Sequence, residues 1–142
     1  MRFFYILVFL LPSIIMCQND LNYFSKLTEE EKNIIIYKGT EPPFSGEYNN
    51  HFEEGVYCCK ACGSELFKSS HKFKSSCGWP SFDDEIEGSI LRKKDYSLGM
   101  SRTEIICSKC SGHLGHVFIG EHLTKMNLRH CVNSTSLIFK PK

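Results

Sequence analysis

Two Cys-x-x-Cys pairs constrain this chain more than any other feature. Cys59-Lys60-Ala61-Cys62-Gly63 and Cys107-Ser108-Lys109-Cys110-Ser111-Gly112 share one design: two thiols flank two residues, and Gly or Ser-Gly follows at once. Such a turn lets two thiolates converge on one ion at about 2.3 Å, and two turns close a tetrahedral shell. A closed shell of four thiolates leaves no open position, so a zinc ion held there is structural. The knuckles lie farther apart than in a ribbon-type zinc module. One ion per chain therefore staples distant parts of a domain, and losing it is equivalent to unfolding. Two alternatives stay open. In an oxidising compartment the same four cysteines form two disulfides. Either pair alone can also be a redox-active dithiol, although no βαβ pattern accompanies them. Cys58, beside Cys59, points to the opposite face of an extended segment and reads as a small buried apolar residue.

Length and charge narrow the rest. The chain has 142 residues, 42% hydrophobic, which suits one domain with one real core. Lys plus Arg is 17 and Asp plus Glu is 16, a net charge of +1. So even a balance excludes a nucleic-acid binder that depends on neutralising phosphates, and a polybasic membrane-surface protein. Residues 3–16 are almost wholly apolar behind Arg2. As a helix they cover about 21 Å, short of a bilayer core of about 30 Å. They read as a secretory signal peptide with a cut near Cys17, which predicts a secreted or secretory-pathway protein. An uncleaved membrane anchor or a buried helix is the alternative. Residues 1–17 are thus the expected signal, 18–26 a polar lead and 27–142 the domain.

Thr28 and Glu31 have capping-box spacing, and three acidic residues open the following turn, which predicts a helix over about 29–38. From Pro42 onward short apolar segments alternate with turn residues: Val56-Tyr57, Leu66-Phe67, Ile90-Leu91, Ile105-Ile106, Val117-Phe118-Ile119 and Ser136-Leu137-Ile138-Phe139. They read as short β-strands. The expected fold is mainly β, with a short N-terminal helix.

Two further thiols stand apart from the knuckles. Cys131 has Arg129 and His130 beside it, which favour the nucleophilic thiolate. Cys77 lies in a Ser/Gly loop, Ser75-Ser76-Cys77-Gly78-Trp79-Pro80. A nucleophilic cysteine with a mobile second cysteine suits a thiol redox enzyme with a resolving thiol; an ordinary structural disulfide suits the same residues. His113 and His116 follow the second knuckle. With the thiolate shell already full, they read better as acid/base or hydrogen-bonding groups than as metal ligands. A spacing of three is awkward for one strand face unless Gly115 permits a bulge. Trp79, the only tryptophan, is either core or a pocket wall. Arg129 either holds the Cys131 thiolate or makes a structural ion pair.

Taken in order, Gly39-Thr40-Glu41-Pro42-Pro43-Phe44-Ser45-Gly46-Glu47-Tyr48, Cys59-x-x-Cys62, Cys77-Gly78-Trp79-Pro80-Ser81-Phe82, Cys107-x-x-Cys110, His113-Leu114-Gly115-His116-Val117-Phe118 and Arg129-x-Cys131-Val132-Asn133-Ser134-x-Ser136-Leu137 resemble the methionine sulfoxide reductase B family. The likeness runs from about Leu27 to Phe139. It implies two antiparallel sheets behind a short helix. It also implies thiol-dependent reduction of methionine-R-sulfoxide in oxidised proteins and peptides. Cys131 matches the catalytic cysteine and passes through a sulfenic acid; Cys77 matches the resolving cysteine and forms a disulfide with it. Thioredoxin or another dithiol then reduces that disulfide. Trp79 is expected to hold the substrate methyl group, with His113, His116 and Asn133 binding or protonating the sulfoxide oxygen. Cys59, Cys62, Cys107 and Cys110 match the zinc ligands. The expected protein is a monomer with no nucleic-acid partner and no stable membrane association once the signal is removed. A zinc-stapled or disulfide-stapled secreted binding module without catalysis is the alternative. Asn133-Ser134-Thr135 is a formal glycosylation sequon, expected to stay unmodified because a glycan there would block the pocket.

Overall fold

A computed structural model describes residues 23–142; the expected signal segment and Cys17 lie outside the described residues. Helix α1 (Glu29–Ile35) starts as its sequence predicts. The Thr28 hydroxyl accepts from the Glu31 amide at 3.2 Å, and the Glu31 carboxylate accepts from the Thr28 amide at 2.8 Å. The helix stops about three residues before the expected end. Lys38 takes a left-handed conformation, and the Gly39 amide reaches back to the Asn33 carbonyl at 2.9 Å. Such a reversal closes the last turn and satisfies carbonyls that the helix leaves open.

Nine strands follow: β1 (Gly55–Cys59), β2 (Glu65–Lys68), β3 (Lys72–Phe73), β4 (Ser81–Phe82), β5 (Ile90–Asp95), β6 (Arg102–Cys107), β7 (His113–Ile119), β8 (Leu128–Val132) and β9 (Leu137–Pro141). They make a three-stranded sheet, β2-β1-β9, and a six-stranded sheet, β3-β4-β8-β7-β6-β5, antiparallel throughout. The sheets share one core. The Phe67 and Phe82 rings stack 4.3 Å apart, and Tyr57 meets Phe82 edge-on at 5.1 Å. Leu66, Ile105, Leu114, Val132 and Leu137 fill the space around them, all buried. Each apolar pair expected to be a strand lies in one, except that Ser136 belongs to a 3-10 turn, Ser134–Ser136. Strands β3, β4 and β8 carry no apolar run and escape that pattern. Among the described residues no helix is long and apolar enough to cross a membrane.

The pleat decides which side chains share a face, because alternate residues point the same way. Cross-strand partners Asp95 with Arg102, Glu104 with His116, His116 with Cys131 and Phe118 with Arg129 therefore line one face of the large sheet. The opposite face supplies Ile105, Val117 and Val132 to the core.

Candidate active site and metal site

The metal cluster is built locally. In each knuckle the residue after the second cysteine, Gly63 or Ser111, is left-handed, and its amide closes the turn on the carbonyl of the first cysteine at 2.8 and 2.9 Å. The turns bring Cys59 Sγ within 3.6 Å of Cys110 Sγ and Cys62 Sγ within 3.6 Å of Cys107 Sγ. All four sulfurs lie within 4.8 Å of one another. A tetrahedron with metal–sulfur bonds of about 2.3 Å has edges of about 3.8 Å, so the donor set fits zinc. Cys59, Cys107 and Cys110 are buried in the core cluster. Cys58 is fully buried, where burial pushes its thiol up from the ordinary range.

The second thiol site is assembled by strand pairing. In the short strand β4, Ser81 pairs with Cys131 of β8, and the Val132 amide donates to the Pro80 carbonyl at 3.0 Å. That clamp brings the loop 74–80 over β8 and places Cys77 Sγ 4.0 Å from Cys131 Sγ. The loop crosses the segment 42–44 at Gly78, whose φ is +95° and whose carbonyl accepts from the Phe44 amide at 2.7 Å. A Cβ there would meet Pro43 Cβ at 2.8 Å, so the crossing needs glycine.

The two thiols titrate as one unit. The Cys131 and Cys77 sulfurs share a hydrogen bond that either can donate, and Cys77 also faces the hydroxyls of Ser75 at 2.9 Å and Ser81 at 3.4 Å; the bond with Cys131 first, then those hydroxyls, hold the Cys77 thiol down at about 4. Cys131 is pushed up, first by that shared proton and then by burial, while Arg129 pulls the other way. The pair thus holds one negative charge and one proton between two sulfurs. Arg129 itself donates twice to Glu121, at 2.6 and 2.8 Å, and lies 4.5 Å over the Phe118 ring. It makes a structural ion pair and acts on Cys131 as well.

Cys131 forms part of the wall of a cavity of about 120 Å³, together with Trp79, His116, Asn133, Arg102 and Phe118. Its floor passes under Gly115, where a Cβ would run into the Cys131 carbonyl oxygen. Of the residues expected to act on substrate, Trp79, His116, Asn133 and Cys131 come together here. Trp79 is fixed by Nε1, which donates to the Glu41 carbonyl at 3.1 Å. Asn133 is 3% exposed and held at both ends of its amide: Nδ2 donates to the Leu114 carbonyl at 3.2 Å and Oδ1 accepts from the Glu41 amide at 3.1 Å.

His113 does not line this cavity. The β6–β7 register slips by one residue, Ile105 pairing with Gly115 and Ile106 with His113. The bulge returns His113 to the side of His116, with their rings 5.6 Å apart and edge-on. His113 is buried behind His116; its Nδ1 lies 2.8 Å from Glu104, and its Nε2 has no partner among the described residues. Burial holds its imidazole below the ordinary histidine range, though Glu104 pulls it back. Lys38 closes the other carboxylate oxygen of Glu104 at 2.8 Å. His116 has a matching partner, with Nε2 2.6 Å from Asp95.

Several contributors escape sequence reasoning. The Glu41 carboxylate is buried and accepts from the Ser134 amide at 2.6 Å, the Thr135 amide at 2.9 Å and the Thr135 hydroxyl at 2.6 Å. Through Glu41 one segment holds both Trp79 and the turn after Asn133. Asp95, Glu104, Arg102 and Lys38 carry no motif; their partners lie on other strands, 66 residues away for Lys38 and Glu104.

Comparison with known proteins agrees with this geometry. The SelR domain matches residues 27–141. The chloroplastic peptide methionine sulfoxide reductase B2 of Arabidopsis thaliana is 51% identical over 117 residues, 82% of this chain and 57% of that protein. The peptide methionine sulfoxide reductase MsrB of Teredinibacter turnerae is 51% identical over 125 residues, 87% of this chain and 91% of the relative. The MsrB of Burkholderia mallei is 42% identical over 126 residues, covering 88% of each chain. The solved Mis18 'Yippee-like' domain aligns at a TM-score of 0.52 with 17% identity, over 63% of this chain and 98% of that one. At that identity the likeness bears on the fold alone.

Proposed function

The chain belongs to the SelR domain family, and on that premise we propose that it reduces methionine-R-sulfoxide in proteins and peptides with Cys131 as nucleophile and Cys77 as resolving thiol. The observation that supports this most is the position of Cys131. It faces a small cavity with Trp79 and His116 on the wall, and the Cys77 sulfur lies 4.0 Å away. The cavity is of a size for one thioether side chain, with an apolar wall at Trp79 and Phe118 and polar groups at His116 and Asn133.

In this reading the proton shared by the thiols moves to Cys77, leaving Cys131 as the thiolate. Cys131 Sγ attacks the sulfoxide sulfur while the oxygen takes up a proton, since an unprotonated sulfoxide oxygen is a poor leaving group. As the substrate S–O bond breaks, the oxygen bonds to Cys131 Sγ and the S–S bond made in the attack is released, so methionine leaves and Cys131 is left as a sulfenic acid. The sulfoxide is reduced by two electrons to methionine and Cys131 is oxidised by two. Cys77 then attacks the Cys131 sulfur, water leaves, and the Cys77–Cys131 disulfide forms. An external dithiol, thioredoxin or another, returns both to thiols. His116 is positioned to supply the proton to the oxygen. Asn133, whose amide is oriented by its backbone partners, is a polar group of the wall; His113 buttresses His116 from behind.

Cys59, Cys62, Cys107 and Cys110 would hold one zinc ion, which supplies a structural clamp and no chemistry. The same reading makes the protein a monomer. It also places it in the secretory pathway, supported by the apolar segment 3–16. The ER is more oxidising than thioredoxin, about −180 to −210 mV against about −270 mV, so a dithiol poised for that compartment serves there.

The test is incubation of the zinc-loaded chain with dithiothreitol and a peptide carrying both sulfoxide epimers, with Cys131→Ser in parallel. Loss of the R epimer alone, absent in the variant, is the expected result. If folded, zinc-loaded protein consumes neither epimer, the enzymatic reading fails and a zinc-stapled binding module replaces it.

A further inference from the structure

The catalytic face of the large sheet carries two carboxylate–imidazole pairs side by side. In the inner one, Glu104 meets His113 Nδ1 at 2.8 Å, Lys38 closes the carboxylate, and both His113 and Glu104 are buried. In the outer one, Asp95 Oδ2 meets His116 Nε2 at 2.6 Å. Asp95 sits at the end of β5, one strand beyond β6, and is itself held from two directions. Arg102 donates to Oδ2 at 3.3 Å, and the Ser97 amide donates to Oδ1 at 2.9 Å. Only the outer pair reaches the cavity, where His116 shares the wall with Cys131. Among the described residues His116 Nδ1 makes no protein hydrogen bond, and it is not among the buried orphan atoms.

We propose that Asp95 is a positioning residue for the reaction: by engaging Nε2 it fixes the His116 ring and leaves Nδ1 as the nitrogen that donates to the sulfoxide oxygen. The inference rests on the reading of the site as a sulfoxide reductase. Its physical content is that a carboxylate accepts only from an N–H. At 2.6 Å a proton lies between Oδ2 and Nε2. When the imidazole is protonated on both nitrogens, the Nδ1 proton can go to the sulfoxide oxygen. The neutral ring that remains keeps its Nε2 proton on Asp95. Asp95 thereby holds one tautomer through the cycle and stabilises the charged form, without touching substrate. The charged or titratable groups that face His116 are Asp95 of β5, Arg102 and Glu104 of β6, His113 of β7 and Cys131 of β8. Of these, Asp95 alone is bonded to the ring.

The experiment uses the full chain, reduced and zinc-loaded, as wild type, Asp95→Asn, Asp95→Ala and Asp95→Glu. Single-turnover formation of methionine from a sulfoxide peptide is followed across pH, and ¹⁵N NMR reports the His116 ring nitrogens in the absence of substrate. The expected wild-type spectrum has Nε2 protonated. In Asp95→Ala that preference is lost and the rate falls about 10- to 100-fold, part of what a positioned general acid contributes. In Asp95→Asn the rate falls as well, because an amide can turn its NH2 toward Nε2 and no longer requires a proton there. Asp95→Glu recovers part of the rate. An undiminished rate in both Asp95→Asn and Asp95→Ala overturns the proposal. So does a rate that falls only in step with lost zinc or lost folded protein. A wild-type chain that reduces no sulfoxide, with Nε2 still protonated against Asp95, overturns the functional reading instead.

Discussion

Two groups of cysteines in this domain meet across long stretches of chain, and they do so by opposite means. Each half of the four-cysteine cluster is a closed local turn, and the two halves place their sulfurs 3.6 Å apart inside the core. The Cys77–Cys131 pair has no local turn. Its sulfurs stand 4.0 Å apart because β4 pairs with β8 and the loop before β4 is pinned across the segment 42–44. The first group has three of its four cysteines buried and presents four convergent donors. The second is half-buried, unequal in its hydrogen bonds and open to a cavity. Identical side chains are thus arranged as a set that could hold one metal ion where two closed turns converge, and as a pair on a cavity where a sheet edge and a loop meet.

The sharpest way to break this contrast is to change one cysteine from each group. Cys107→Ser is expected to lose metal and folded structure together, since a structural zinc contributes on the order of 10 kcal/mol to folding. A strong chelator added to wild type does the same. Cys131→Ser is expected to keep one zinc per chain and an unchanged melting curve while activity falls about 1,000-fold or more. Metal analysis and thermal melts on both variants decide the matter; a Cys107→Ser chain that stays folded and active dissolves the distinction.

The inequality within the pair is read by alkylation. A thiol held down at about 4 remains a thiolate at every pH above that value. Cys77 is therefore expected to react with iodoacetamide at a near-constant rate from pH 8 to about 5, slowing only near 4. Cys131→Ala removes the shared proton and returns Cys77 toward an ordinary thiol, so its rate at pH 6 drops roughly 100-fold. Peptide mapping identifies the labelled residue. A wild-type rate that already falls between pH 9 and 7 contradicts the assignment.

A smaller effect separates resolution from attack. Cys77→Ser should still form the first equivalent of methionine, while turnover with a protein dithiol falls about tenfold or more, because no disulfide is presented for exchange. Glu41→Gln should act on the frame of the site. A carboxylate that accepts three hydrogen bonds becomes an amide with one acceptor oxygen, at a cost of about 1–3 kcal/mol in denaturant unfolding. The zinc content is unchanged.

The two cysteine groups also show why some of this molecule is legible in sequence and some is not. The knuckles and the capping box are written within six residues, so spacing alone predicts them. So are the apolar strands, whose cores lie where the short apolar segments stand. The β8 strand is not. Leu128-Arg129-His130-Cys131-Val132 is polar at its centre because Arg129 is satisfied by Glu121, and His130 by Glu85 and the Phe82 carbonyl, partners that only the fold supplies. The helix end depends on the left-handed turn at Lys38, a residue with no preference that announces it. Within the site, the family motifs carry Cys77, Trp79 and Asn133. They do not separate His116, on the cavity wall, from His113 behind it. That distinction comes from the slip in register opposite Ile105 and Ile106. Asp95 and Glu104 share no pattern with the histidines they hold.

The most direct measurement is a single turnover without reductant. Fully reduced, zinc-loaded chain is mixed with excess methionine-R-sulfoxide peptide, quenched with an alkylating agent and mapped by mass spectrometry, with zinc release followed in parallel. The account predicts one equivalent of methionine per chain, a Cys77–Cys131 crosslink, and the four knuckle cysteines still on their metal. Methionine formed at the expense of a disulfide within or between the knuckles, with zinc released, would contradict it.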